Sequence, residues 1–359
     1  MNKFATILAG GGGTRFWPLS RQELPKQLIN ISGNDIMLND TIERFNGVIP
    51  MENTIVVTNR TQAVLLESIM HKSVQHANIL VEPVAKNTAA SILLAALFIE
   101  KNHGDSLMVV FPSDHHITEE EKFKKTLEDA CRIAMDTDKI VTIGIKPTFP
   151  STGYGYISCK NDPILASPCQ VYEVAEFVEK PSFIKAQSYL QSGHYLWNSG
   201  MFIWKTSCII ENFKRFLPRL FKTMIPLIEY IGTDGEEDKM NEIYPLLQNI
   251  SIDYGILERC DEVVVIEGDF GWNDIGSWDA LGAIFPPDEY GNIVKASYVG
   301  IETRNSIIYG QERLITTIGI EGLIIADTKD ALLICAKDKA QEVKEIVKLL
   351  KEKGMQEYA

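Results

Sequence analysis

The sequence predicts an α/β fold, a mostly parallel mixed sheet flanked by helices and followed by a small β-rich domain, and three observations carry that prediction. Short apolar runs alternate with stretches of helical spacing from residue 4 to residue 144, the pattern of parallel strands joined by crossover helices. Four glycines, Gly10 to Gly13, follow directly on the first apolar run, at the strand edge where open α/β sheets collect ligands. Phe285-Pro286-Pro287-Asp288-Glu289-Tyr290-Gly291 then breaks the alternation, and only short β-type runs and one charged helix come after it. Two domains are expected, residues 1–285 and residues 286–359.

In chain order, the apolar runs place strands at 4–9, 54–58, 79–82, 107–111, 140–144, 171–178 and 263–266. Helical spacing places helices at 35–45, 61–71, 88–101 and 119–135, and 206–260 reads as helical with the acidic stretch 234–238 as a solvated loop. Beyond the break, strands are expected at 293–299, 306–309, 314–318, 323–326 and 331–335, closed by a helix at 339–353.

The whole-chain numbers narrow the classes of function. With 359 residues, 45% hydrophobic and 23% charged, the chain has ample length for a large core and an ordinary globular composition. A net charge of −13 argues against a nucleic-acid or anionic-membrane partner, because either would be repelled by most of the surface. The six cysteines are scattered with no C-x-x-C pair, so they are read as reduced, mostly buried thiols of a cytoplasmic protein. The apolar stretch before the glycines is too short for a signal-peptide core, and no run approaches the roughly 20 residues of a membrane span.

Several segments carry candidate chemistry. The glycine loop lacks the Lys-Ser/Thr pair of a P-loop, since Thr14-Arg15 follows Gly13, and Pro18 and Pro25 oppose the immediate helix of a dinucleotide fold. With Arg15, Arg21 and Lys26 beside it, the loop reads as a phosphate cradle or as a glycine-rich turn with ordinary surface cations. Asn87 and Thr88 stand where a helix begins: either can cap it, and the Asn87 amide can also meet a base edge. Asp114, just past Pro112 at a strand's end, suits a divalent cation or an Asx turn. His115 and His116 are adjacent and point to opposite sides of an extended strand, so neither is given a role.

Tyr154 and Gly155, in Thr152-Gly153-Tyr154-Gly155-Tyr156, form a wall for a sugar or a tight hairpin. Glu179-Lys180-Pro181 offers a hydroxyl acceptor and a compact cation, or simply opens a solvated helix. Asn198 can meet a sugar hydroxyl, and Gly200 permits close backbone approach. Asp253 reads as a helix cap or support. Asp274, in a loop rich in glycine and tryptophan, is an exposed polar point or the N-cap of a helix near Ser277.

Residues 10–27 resemble the signature of the sugar-nucleotide pyrophosphorylases, and Trp17-Pro18-Leu19-Ser20 with Pro25-Lys26-Gln27 look most like the mannose-1-phosphate guanylyltransferase branch. Further on, Glu82-Pro83-Val84-Ala85-Lys86-Asn87-Thr88 resembles that branch's Glu-Pro-x-x-Arg-Asn-Thr element, with Lys86 in place of Arg and Ala90 in place of a frequent Pro. Pro112-Ser113-Asp114-His115, Val178-Glu179-Lys180-Pro181, Trp197-Asn198-Ser199-Gly200 and Gly271-Trp272-Asn273-Asp274-Ile275-Gly276-Ser277-Trp278 are similar to its remaining elements, so the resemblance covers nearly the whole chain.

That resemblance implies a Rossmann-like nucleotide-diphospho-sugar transferase domain with an abbreviated β-helix tail that joins two subunits into a homodimer. It implies transfer of GMP from GTP to mannose 1-phosphate by direct in-line attack assisted by Mg2+, giving GDP-mannose and pyrophosphate. Catalytic roles would fall to Arg15, Lys26, Asp114, Lys180 and Asp274, with Mg2+ on Asp114 and Asp274. The nucleotide would meet Gly10, Gly11, Gly12, Gly13, Thr14, Arg15, Lys26, Glu82, Asn87 and Thr88, and the sugar phosphate Tyr154, Gly155, Glu179, Lys180, Asn198 and Gly200. The alternatives are the same chemistry on another sugar 1-phosphate or nucleotide, and a non-catalytic nucleotide-sugar sensor. The additional sugar-isomerase domain of longer bifunctional relatives is not expected in a chain of this length.

Overall fold

A computed structural model of the chain describes residues 1–31, 34–160, 163–164 and 169–359. They form two compact units, each assembled from separate stretches. Met1–Gly10, Thr41–Ser113 and Ile117–Trp272 make the larger, and Gly11–Asp40, Asp114–His116 and Asn273–Ala359 the smaller.

The larger unit is organised by a nine-stranded sheet. Its strands are β1 (Lys3–Leu8), β2 (Thr54–Asn59), β3 (Ile79–Glu82), β4 (Leu107–Pro112), β5 (Ile140–Ile145), β6 (Tyr156–Cys159), β7 (Val171–Val178), β8 (Tyr195–Lys205) and β9 (Val263–Gly268). They lie in the order β3-β2-β1-β4-β8-β5-β9-β7-β6, with β8 also reaching β6. Central strands such as β5, in which every residue is buried, are covered on both faces, which is why they appear in the sequence as unbroken apolar runs.

The sheet is mixed, as expected, but parallel pairings do not predominate. β3-β2-β1-β4 and β5-β9 pair in parallel, but β8 runs antiparallel to both β4 and β5, and β7 antiparallel to both β9 and β6. The sheet is therefore mixed by pairing. β8 escaped the periodicity because Asn198, Ser199 and Gly200 interrupt its apolar pattern.

Helices complete the layers. In α1 (Asn87–His103) every residue from Ala89 to Ile99 is buried, the mark of a helix enclosed on all sides. By contrast, α2 (Glu120–Asp136) buries Phe123, Leu127, Ala130, Cys131 and Ala134 at spacings of three and four and leaves most of its charges outside. The acidic stretch read as a loop is partly helical: Glu236, Glu237 and Asp238 form the first turn of α3 (Glu236–Ile243), where negative charge meets the positive end of the helix dipole.

The smaller unit contains β10 (Ile293–Lys295), β11 (Tyr298–Ile301), β12 (Ile307–Gly310), β13 (Ile315–Ile318), β14 (Leu323–Asp327) and β15 (Leu332–Ala336). The single strand expected at 293–299 is thus two, β10 and β11. β10, β12 and β14 stack in parallel with Ile293, Ile307 and Ile324 in one inward column, while β11 and β13 pair in parallel and β15 closes antiparallel on β14. A 3-10 turn, Lys337–Glu342, leads into α4 (Val343–Glu352).

The residues after the glycine loop belong to this same core. Phe16, Trp17, Leu19 and Ile29 pack with Trp278, Ile293, Ile307, Val343 and Val347. Trp278 Nε1 donates to the Trp17 carbonyl at 2.9 Å, and Trp17 Nε1 to the Tyr358 carbonyl at 2.6 Å.

Candidate active site

Within the smaller unit, the glycine loop is shaped by what lies beneath it. Gly13 has φ of 57°, and a Cβ there would stand 2.5 Å from Lys26 Cβ and 2.7 Å from the Lys26 main-chain nitrogen, so no other residue fits. Ser20 Oγ donates to the Gly13 carbonyl at 2.7 Å and Gln27 Nε2 to that of Gly11 at 2.9 Å, which turns two loop carbonyls inward. After Gly13 the chain makes only a 3-10 turn, Thr14–Phe16.

Lys26 is 3% exposed, and its ammonium uses all three protons. It donates to the Asp114 carbonyl at 2.8 Å, to Asp114 Oδ2 at 3.0 Å and to the Asp274 carbonyl at 2.6 Å. Burial alone would push the Asp114 carboxyl up, but the charges of Lys26 and His115 and the hydrogen bond from Lys26 outweigh it, so the group lies below the ordinary aspartate value. Asp274 does not cap the 3-10 helix Trp278–Ala283, whose N-cap is Ser277. Instead its Oδ1 accepts from the Gly276 main-chain nitrogen at 3.1 Å.

Gly13, Thr14, Arg15, Lys26, Asp114, His115, Asp274, Gly276 and Lys344 line one open cavity of about 260 Å³. The structure therefore brings Arg15, Lys26, Asp114 and Asp274 together, as the sequence suggested. Arg21 goes elsewhere and pairs with Asp330 at 2.9 Å. Lys344, from α4, was not foreseen, since nothing local distinguishes it from the other lysines of that helix. Two carboxylates on one cavity suit Mg2+, which is held by one or two such groups and completes its shell with water and substrate phosphates.

The remaining candidates lie in the larger unit. Glu82 is 5% exposed, and its carboxylate accepts from Ser91 Oγ at 2.8 Å and from the Tyr244 hydroxyl. Burial raises its pKa against the pull of those two donors. Asn87 is exposed with φ of 66°, and its Oδ1 accepts from the Thr88 main-chain nitrogen at 2.9 Å. The Thr88 hydroxyl in turn accepts from the Ile252 nitrogen at 2.9 Å, tying the start of α1 to the segment at 252.

Gly155, Glu179 and Asn198 share a small pocket with Asp253 and Glu258. A Cβ on Gly155 would fall 2.5 Å from Glu179 Oε2. Asn198 is locked at both ends: Nδ2 donates to Asp253 Oδ1 at 2.9 Å, and Oδ1 accepts from the Gly200 nitrogen at 3.0 Å. Lys180, with φ of 46°, pairs with Glu179 at 2.9 Å and keeps 60% of its side chain exposed. Tyr154 stands apart in an aromatic group, edge-on to Trp197 and Trp272 with centroids 5.0 and 5.3 Å away.

Asp253 is the residue that sequence reasoning passed over. Ser251 is the cap, accepting from the Tyr254 nitrogen, which leaves Asp253 free to hold Asn198. Burial first and the Glu179 charge second push the Asp253 carboxyl up to about 6.

Comparison with known proteins identifies the family. Residues 4–289 match the nucleotidyl transferase family model, and residues 296–350 match the MannoseP isomerase/GMP-like beta-helix domain. The chain is 37% identical to mannose-1-phosphate guanylyltransferase ManC of Salmonella typhimurium, across 99% of this chain and 74% of that protein. It is 36% identical to the alginate biosynthesis protein AlgA of Pseudomonas putida, across 98% and 72%. The crystal structure of a protein described as a mannose-1-phosphate geranyltransferase from Thermus thermophilus superposes with a TM-score of 0.87 at 32% identity, over 98% of this chain and 100% of that one. The chain belongs to the nucleotidyl transferase family, in its mannose-1-phosphate guanylyltransferase branch.

Proposed function

We propose that the protein transfers GMP from GTP to mannose 1-phosphate. A phosphate oxygen of the sugar phosphate forms a bond to the α-phosphorus of GTP, the bond from that phosphorus to the oxygen bridging the α- and β-phosphates breaks, and pyrophosphate leaves with the electron pair. The nucleophile is already ionised near neutral pH, so the barrier is repulsion between anions and imprecise alignment, which fixed charges and positioning lower. The observation that carries this reading is the convergence of Arg15, Lys26, Asp114 and Asp274 on one cavity below the glycine loop.

Each group has a distinct task. Gly10 to Gly13, Thr14 and Arg15 receive the triphosphate, while Lys26 fixes the main chain on which Asp114 and Asp274 stand. Asp114 and Asp274 would hold Mg2+, which supplies charge neutralisation at the phosphates when bound. Glu82 and Thr88 brace the segment that presents Asn87. With its oxygen taken by Thr88, Asn87 offers its amide N–H groups, which match the O6 acceptor of guanine and oppose the amino group of adenine. Glu179 accepts from sugar hydroxyls, Asn198, held by Asp253 and by the Gly200 nitrogen, lines the same pocket, Gly155 lets Glu179 approach closely, Tyr154 offers an aromatic face to the sugar, and Lys180 meets the sugar phosphate.

The two matched segments support the division into a nucleotidyltransferase domain at 1–285 and a small β domain at 286–359 as matched along the sequence, while residues 11–40, 114–116 and 273–285 pack in one compact unit with the β domain. Val299, Ile301 and Ile318 are 58%, 57% and 73% exposed on the outer face of β11 and β13, and such a patch supports a homodimer through the β domain. All six cysteines are free, two buried and four partly exposed, so they are less buried than the sequence suggested, and unpaired thiols support a reducing cytoplasm. Among the described residues no helix is long and apolar enough to cross a membrane.

The reaction is tested by a panel of nucleoside triphosphates against sugar 1-phosphates, with and without Mg2+, following pyrophosphate release. GTP with mannose 1-phosphate and Mg2+ is expected to give the highest kcat/KM. A different preferred pair would reassign the substrates, and no release from any pair would leave a nucleotide-sugar sensor.

A further inference from the structure

Taking the reaction above as the frame, we infer that Lys344 of α4 binds the phosphate chain of the nucleotide and of the pyrophosphate it releases. The cavity below the glycine loop is lined by the cations Arg15, Lys26 and Lys344 and by the carboxylates Asp114 and Asp274. Lys26 is fully engaged with protein oxygens and nearly buried, so its charge offsets its neighbours and its protons are already taken. With His115 counted as neutral, the formal charges of the lining cancel without Lys344, and with it the cavity carries one positive charge in excess. A site that must accept a polyanion and then stabilise charge on a departing pyrophosphate needs that excess.

The helix that carries Lys344 is fixed to the loop it serves. α4 packs against the turn Thr14–Phe16, and its apolar face, Val343 and Val347, is buried with Phe16 and Trp17. Lys344 adjoins Val343 at the edge of that face, exposed, and its ammonium has no ion pair among the described residues. It is a compact cation on a long stem, set on a rigid helix beside the phosphate loop, with nothing among those residues to neutralise it. The segment matched by the β-helix domain model therefore supplies a phosphate-binding group to this cavity, beyond packing and assembly.

The test compares Lys344→Ala, Lys344→Arg and Lys348→Ala with the unmodified protein. Lys348 is an exposed lysine one turn further along α4, outside the cavity, so its removal costs the same net charge. Calorimetric titration with inorganic pyrophosphate is expected to show affinity about tenfold weaker for Lys344→Ala, the worth of one charge-assisted contact, with a similar rise in KM for GTP and none for mannose 1-phosphate. Lys344→Arg should restore most of the loss, and Lys348→Ala should behave as the unmodified protein. Matching urea midpoints confirm that the variants fold. Unchanged pyrophosphate affinity in Lys344→Ala, or an equal loss in Lys348→Ala, overturns the assignment. If the unmodified protein releases pyrophosphate from no substrate pair, the reaction assigned above fails, while the calorimetry still decides the role of Lys344.

Discussion

The ammonium of Lys26 donates to the main-chain carbonyl of Asp274 at 2.6 Å, joining positions 248 residues apart in sequence. The same ammonium holds the carbonyl and carboxylate of Asp114, so one side chain ties together the three stretches of the smaller unit. A lysine in the Pro-Lys element of a phosphate loop invites the reading of a free cation for the triphosphate. The geometry gives it a second task, setting the positions of the two carboxylates.

Replacing Lys26 with Met keeps the stem and removes the ammonium. It leaves two carbonyls and a carboxylate without their donor, a change of the kind that costs about 3 kcal/mol. Urea denaturation should show that loss, and turnover should fall by far more than GTP affinity, because misplaced carboxylates matter most as charge shifts in the transition state. A variant with normal stability and normal turnover would remove Lys26 from both tasks.

Gly13 and Gly11 should respond oppositely to alanine. At Gly13 the added carbon collides with Lys26 main chain and the backbone is left-handed, so Gly13→Ala should lose about 1–3 kcal/mol of stability and most activity. At Gly11 nothing lies within 4 Å of the added carbon, so Gly11→Ala should fold normally. Any rise in its KM for GTP would then report the approach of the ligand itself. Equal denaturation midpoints for the two variants would contradict the geometry.

How much of this was legible in the sequence depended on whether a signal was local. Strands such as β5 were readable because burial on both faces leaves an unbroken apolar run. β8 was hidden because the polar residues of its own functional segment, Asn198 to Gly200, break the pattern by which strands are recognised. The convergence of Arg15, Lys26, Asp114 and Asp274 followed from motifs, yet the packing of Phe16 and Trp17 with Trp278 and Ile293 is wholly non-local and left no trace in spacing. Lys344 is one lysine among several on an amphipathic helix, and only the cavity singles it out. Asp253 looked like a cap until Ser251 was seen to occupy that role.

Asn87 offers a test of base choice. Its oxygen accepts from Thr88, so the end left for a ligand is a donor. Asn87→Asp replaces that end with an acceptor and should lower the preference for GTP over ATP, by about tenfold for one hydrogen bond reversed. Ratios of kcat/KM for the two nucleotides measure it, and an unaltered ratio would place base recognition at other residues.

Asp253 predicts a pH dependence. Burial and the Glu179 charge raise its carboxyl from 3.8 to about 6, so the folded protein holds this proton more tightly than the unfolded chain does. Its contribution to stability is then full below the unfolded value and is lost as pH rises through about 6. Asp253→Asn cannot ionise, yet its amide oxygen can still accept from Asn198. The variant should therefore gain stability relative to the unmodified protein as pH rises from about 4 to about 7, by roughly 2 kcal/mol, and the difference should level off above that range. Asn198 is held by this carboxylate, so the KM for mannose 1-phosphate should also change through about pH 6 in the unmodified protein and remain flat in the variant. Urea midpoints and KM measured for both proteins between about pH 4 and about pH 8 decide the matter; parallel curves would mean that Asp253 titrates outside this window and does not govern the pocket.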